Sequence, residues 1–168
     1  MKTRYSWQQI TLHWISAVII IWATLTGFYI ALFNHASEHK DWVSFINVSL
    51  TTVYIPLFIV RLVYAYCHGK PNDGLLSHKE ERLAALGHKM LYVNIALVLL
   101  TGVLMMERPI NIFGLFSINQ PLHDPALTLT FNRLHVFFCV SLALFIVGHI
   151  LAVVKHQLAG KPLLRRMR

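Results

Sequence analysis

Residues 133–156, RLHVFFCVSLALFIVGHILAVVKH, decide the fold class. Thirteen residues separate His135 from His149, and among them only Ser141 is distinctly polar. Such a run suits hydrocarbon, which takes about 20 residues of helix to cross. Yet it carries an imidazole near each end. Ionisable groups at that depth are costly and commonly functional.

The rest of the chain is of the same kind. Of its 168 residues, 56% are hydrophobic and 13% charged, whereas a soluble domain carries about a quarter charged. A soluble core could not hide that much apolar surface in so short a chain. The composition is that of an integral membrane protein with one domain, residues 1–168. A net charge of +8 raises nucleic acid as a partner. The basic residues flank apolar runs instead of forming a stripe, so the charge is a topology signal and nucleic acid is excluded. Cys67 and Cys139 form no C-x-x-C or zinc spacing and are read as buried small hydrophobes.

Four stretches are long enough to span: about 10–33, 43–66, 84–106 and 134–154. The first is too apolar for too long to be a signal peptide, although Lys2 and Arg4 precede it. The fold class is therefore all-α, a membrane four-helix bundle. Twelve Lys and Arg lie at the N-terminus, the second connection with its helix ends, and the C-terminus. Three, Lys40, Arg108 and Arg133, lie in the other two connections. The positive-inside rule then places both termini in the cytoplasm, of a bacterial inner membrane protein on the family resemblance given below. The second connection has a Pro-Asn-Asp-Gly turn at 71–74 and a capping box from Ser77 to Glu80. The third is longer and more apolar than a simple hairpin needs, as if it lay in the outer interface or covered something between the helices.

There are ten histidines. His35, His39, His68, His78 and His123 fall in connections and read as solvated. His13, His88, His135 and His149 fall within spans, and His156 just beyond the last. Orientation puts His13 and His149 at one level, near the cytoplasmic face. His135 lies fourteen residues from His149, about 21 Å along the axis, and points in nearly the same direction. Two levels near opposite faces suit two haems stacked across a core about 30 Å thick. Zinc wants convergent Cys, His or carboxylate ligands, and no Asp or Glu lies well inside a span. A haem needs one or two axial imidazoles and a large apolar slot. Without a C-x-x-C-H attachment motif it would be haem b.

Several motifs then resemble the bacterial cytochrome b-561 family along nearly the whole chain. They are LHW at 12–14, IVRL at 59–62, LGHKMLY at 86–92, GVLMM at 102–106, the His135/His149 pair and the basic tail after Lys155 and His156. The resemblance implies a four-helix bundle with haem held between the helices. It implies His13 and His149 as iron ligands of the inner haem and His135 as a ligand of the outer one. The family's partner for His135 is a histidine fourteen residues before the arginine that matches Arg61. Here that position is Asn47. An amide is a poor iron ligand, so the sequence predicts one inner haem and fewer than two six-coordinate haems in all. The outer iron would be absent, held by His135 alone, or ligated from His39, His123, Met105 or Met106. Alternatively His135 bonds to Asn47 across the helices. Arg61 pairs with a haem propionate or snorkels to the interface, and His88 bonds a propionate or faces a groove.

The resemblance also implies function: single electrons passed between a donor and the quinone pool, with Lys155 and His156 near a ubiquinone headgroup. The family includes superoxide oxidase, but the outer connections carry a formal charge of −1, which does not attract a small anion. A haem-bearing anchor that relays electrons for a redox partner protein is the second reading. The third is a haem-free helical membrane protein whose histidines are interhelical hydrogen bonds.

Overall fold

The computed structural model describes residues 4–32, 38–69, 71 and 74–167. Phe33, His35, Lys2, Lys70, Asn72, Asp73 and Arg168, which entered the span, histidine, turn and charge readings, lie outside these residues. Four long helices are present: α1 Trp7–Leu32, α2 Glu38–Cys67, α3 His78–Leu104 and α4 Pro125–Leu158. All four are long and apolar enough to cross a membrane.

Each helix starts on a local signal. Ser6 and Gln9 exchange hydrogen bonds ahead of α1, with Gln9 Oε1 accepting from the Ser6 N–H at 3.1 Å. Glu38 and Asp41 occupy the first turn of α2, where the helix dipole favours anions. The capping box on α3 forms: Ser77 N–H donates to Glu80 Oε2 at 2.8 Å and Ser77 Oγ accepts from the Glu80 N–H at 3.4 Å. Asp124 caps α4 by accepting from the Ala126 N–H at 2.8 Å, with Pro125 in the first turn.

The Asp-Pro start explains one difference from the sequence reading. The last helix begins at Pro125, not near 134, because the cap and not the hydropathy sets its start. Its 34 residues are about 51 Å long, well over the hydrocarbon thickness, so its ends project beyond it. The long third connection also folds. Strands β1 Ile110–Ile112 and β2 Phe116–Ile118 form an antiparallel hairpin, pairing Ile110 with Ile118 and Ile112 with Phe116. Cys67 corrects the expectation of burial: it is exposed at the end of α2.

The packing is uneven, and this positions the site. α1 lies along α2 and α3 along α4, while the two pairs touch each other much less, between α2 and α3. A small core of Tyr54, Phe58, Ile95 and Leu142 joins them at mid-height. Many large apolar side chains instead face outward, as a lipid-solvated surface requires.

At the end bearing the chain termini, a 3-10 turn at Leu163–Met167 folds back onto the bundle. The Trp14 indole N–H donates to the Met167 carbonyl at 3.3 Å and the Tyr5 N–H to the Arg166 carbonyl at 3.2 Å. Lys161 donates to both Glu80 oxygens at 2.6 and 2.7 Å. That ammonium, with the Ser77 N–H, holds the Glu80 carboxyl down at about 2; Glu80 stands in the first turn of α3, ahead of its apolar stretch.

Candidate functional site

The four helices share one spacing. Arg61 on α2 donates to His13 on α1, Nη2 to Nδ1, at 3.1 Å. Fourteen residues along each helix, in the direction of the β-hairpin, Gly27 on α1 faces Asn47 on α2; a Cβ on Gly27 would stand 3.8 Å from Asn47 Nδ2. On the other pair, the rings of His88 and His149 meet edge to face with centroids 5.3 Å apart. Fourteen residues away, Gly102 faces His135, and a Cβ there would stand 3.1 Å from His135 Cε1. Every helix therefore contributes one residue to each of two levels, about 21 Å apart along the helices. The level near the termini holds His13, Arg61, His88 and His149. The level near the β-hairpin holds Gly27, Asn47, Gly102 and His135.

At the level near the termini, Arg61 is the central cation. Its guanidinium carbon also stands 5.3 Å from the centroid of the Tyr92 ring, a cation–π distance. His149 and His88 are the other chargeable neighbours of His13. Arginine has no acceptor, so His13 takes this bond on the Nδ1 lone pair and its neutral ring carries the proton on Nε2. Ligating a metal through Nε2 therefore requires Arg61 to release Nδ1. His88 donates its Nδ1–H to the Ala84 carbonyl at 2.8 Å, one turn back on its own helix.

At the level near the β-hairpin, a cavity of about 200 Å³ opens between the two helix pairs. Gly27, Asn47, Gly102, Met105, Met106 and His135 are among its walls, which are otherwise mainly apolar. His135 donates its Nδ1–H to the Val98 carbonyl at 3.1 Å, with Thr101 Oγ1 at 3.2 Å. The neutral ring then keeps its Nε2 lone pair, beside the Cys139 thiol at 3.4 Å. A ring held at Nδ1 by a carbonyl is the tautomer that metal-binding histidines use, and ligation through Nε2 requires the Cys139 thiol to give up that lone pair. Asn47 Nδ2 donates to the Ala23 carbonyl on α1 at 3.3 Å. No hydrogen bond joins Asn47 to His135 among the described residues. Nor do His39 or His123 reach the cavity; His123 lines a separate small pocket with Glu107 and Gln120. Met105 and Met106 do reach it.

These residues fit a b haem. The cavity is apolar, its imidazole has the right tautomer, and Gly102 leaves the room that a side chain would fill against that imidazole. Among the described residues no three His, Cys, Asp or Glu side chains converge as a metal-ion site.

Lys155 and His156 are neighbours in sequence but do different things. Lys155 is exposed, whereas His156 is half-buried with Nδ1 3.8 Å from Glu80 Oε1. Sequence reasoning missed Gly27, Gly102 and the Val98 and Thr101 contacts. The signal for the glycines was available: each stands fourteen residues from a histidine within a span, Gly27 from His13 and Gly102 from His88.

Comparison with curated proteins finds no match. A family model, prokaryotic cytochrome b561, matches residues 4–168. Four membrane-crossing helices, a two-level histidine arrangement and a match over nearly the full length lead to one conclusion: the chain belongs to the prokaryotic cytochrome b561 family, the membrane b-type cytochromes of electron transfer.

Proposed function

We propose that the chain binds haem b through His13 and His149 at one level and through His135 at the other, and carries single electrons between a donor and a membrane quinone. The fourteen-residue register shared by all four helices carries this reading. It puts imidazoles at two depths of a bundle whose helix pairs stand apart. When bound, the haem supplies the one-electron chemistry, and the protein supplies orientation and tuning.

The side chains divide that work. Val98 and Thr101 fix the His135 ring so that Nε2 faces a ligand. Arg61, once released from His13, is placed to neutralise a carboxylate such as a propionate, since a guanidinium left without a counter-charge in a bilayer is costly. His88 stands against His149 and limits how that ring can turn. Exposed Lys155, with His156 beside it, offers N–H donors to the carbonyl oxygens of a ubiquinone-type headgroup at the end near the termini. The basic excess there supports a cytoplasmic orientation for that end. The opposite connections, with a formal charge of −1, give superoxide no electrostatic guidance as the donor.

Protein purified from membranes should show a reduced-minus-oxidised b-type difference spectrum, and a short-chain ubiquinol should reduce it. A colourless preparation with correct insertion would overturn the haem reading. Coloured protein inert to quinols would overturn only the quinone assignment.

Orientation is tested separately. Reporter fusions before Trp7, near Gly74 and after Met167 are expected to read cytoplasmic, and one at Gln120 periplasmic. The opposite pattern would invert the bundle and move the quinone site to the other face.

A further inference from the structure

A buried hydroxyl on α2 anchors the β-hairpin between α3 and α4. Ser49 Oγ on α2 donates to the Asn111 carbonyl at 3.1 Å and accepts from the Phe113 N–H at 3.1 Å. Ser49 is fully buried beneath it. The turn closes with the Leu115 N–H donating to the Ile112 carbonyl at 3.0 Å, and the Gly114 N–H to Asn111 Oδ1 at 2.8 Å. Phe113 and Gly114 have φ of 51° and 74°, so the turn forces a phenylalanine into the left-handed region. That conformation is strained for a residue with a Cβ. It persists where the surroundings fix it, as the Ser49 bond does here.

Directly paired residues of an antiparallel ladder point to the same face. Ile110, Ile112, Phe116 and Ile118 therefore form one apolar face, with Asn111 and Ser117 on the other. The bundle uses only half of it. Ile110 and Ile112 are 2% and 4% exposed against the bundle, whereas Phe116 and Ile118 are 58% and 49% exposed. Phe113 and Leu115 extend this uncovered apolar surface at the turn.

The place of the overhang says what covers it. Ser49 lies two residues from Asn47 on α2, so the hairpin sits at the depth of the cavity, and Ile110 forms part of the cavity wall. Trp42 and Val53 are seven residues before and four after Ser49, on the same face of α2 by helical spacing, and both are exposed. The hairpin thus lies within the lipid-facing strip of α2. An exposed Trp at that strip's outer end is the usual mark of a membrane interface.

We propose that the overhanging half of the hairpin, Phe116 and Ile118 with the Phe113–Leu115 turn, is seated in the lipid of the adjoining leaflet, Asn111 and Ser117 facing water. The ladder and Ser49 satisfy its inner polar groups, and the outer edge of β2 faces the water with Ser117, since an open sheet edge does not lie in hydrocarbon. The hairpin is then the wall that separates the His135 cavity from the lipid. This rests on the membrane-spanning fold and not on haem binding.

Spin labels at single cysteines in proteoliposomes test it, in a Cys67→Ser, Cys139→Ala background with Leu144→Cys as the lipid-facing reference and His78→Cys as the aqueous one. A label at Ile118→Cys is expected to collide several-fold more with oxygen than with an aqueous nickel chelate, matching Leu144→Cys, and the ratio should invert at Ser117→Cys. Chelate-accessible labels at both positions would overturn the proposal, placing the hairpin in water. So would labels at 118 shielded from both reagents, which would mean that protein covers the overhang. Phe113→Asn separates strain from seating: asparagine tolerates a left-handed φ, so the hairpin should keep its contrast between 117 and 118 in that variant. Loss of the contrast there would also overturn the proposal, since it would tie the seating to the Phe113 ring alone.

Discussion

His13→Ala and His149→Ala are each expected to remove most of the low-spin b-type absorbance while the protein still inserts in the membrane. Insertion depends on the apolar length of the spans, and one alanine in α1 or α4 leaves that length intact. Ligation depends on two imidazoles brought to one depth from helices that do not otherwise pack closely. With one imidazole removed, Arg61 cannot replace it, being a cation without a lone pair to offer. His88 has its Nδ1–H on the Ala84 carbonyl and so carries its lone pair on Nε2, but it stands on α3 and not on the helix that lost its ligand. His88→Ala is the matched control: it removes a third imidazole from the same cluster and is expected to keep a low-spin spectrum. Added imidazole should partly restore the spectrum of either ligand variant, because the alanine leaves a hole of the right size. A full, unshifted spectrum in both His13→Ala and His149→Ala would end the assignment. Loss in His88→Ala with retention in His149→Ala would exchange the roles of those two residues.

What could be read from the sequence followed from the strongest physical constraint acting on each part. Span number and approximate position were legible because hydrocarbon demands long apolar runs with satisfied backbones. Helix ends were less legible. Polar caps such as Asp124-Pro125 set them, and hydropathy does not register a helix that continues into the interface. The fourteen-residue spacing of His135 and His149 correctly predicted that both rings face the same neighbour, and that neighbour is α3. The glycine counterparts were marked in the sequence only by their fourteen-residue distance from His13 and His88; their steric meaning appears once His135 is found 3.1 Å from where a Cβ at 102 would stand. The hairpin went unread because it is anchored on α2, through Ser49, which lies 62 positions from its partner Asn111 in the chain. Local pattern could not show that contact.

Asn47→His carries the second large effect, because it puts an imidazole on the α2 wall of the cavity, where the wild type has an amide. Among the described residues, His135 is the one histidine lining the cavity, and Asn47 commits its Nδ2 to the Ala23 carbonyl. The wild-type protein is therefore expected to contain fewer than two six-coordinate haems, and any haem at His135 should be high-spin and reactive to carbon monoxide. An imidazole at 47 has room to enter. Gly27 presents no side chain towards it, and the lost Ala23 bond is a single neutral hydrogen bond, worth about 1 kcal/mol. The variant should convert the carbon monoxide-reactive component to low spin without altering the signal from the His13 and His149 level. If the cavity holds no haem in the wild type, no such component exists, and haem per polypeptide should stay near one in both proteins. Met105 and Met106 supply the competing outcome, since both reach the cavity. A wild type with two low-spin haems, inert to carbon monoxide, would show that a thioether or another side chain already completes the coordination. Met105→Leu and Met106→Leu would then identify the ligand, and the open position inferred at Asn47 would not exist.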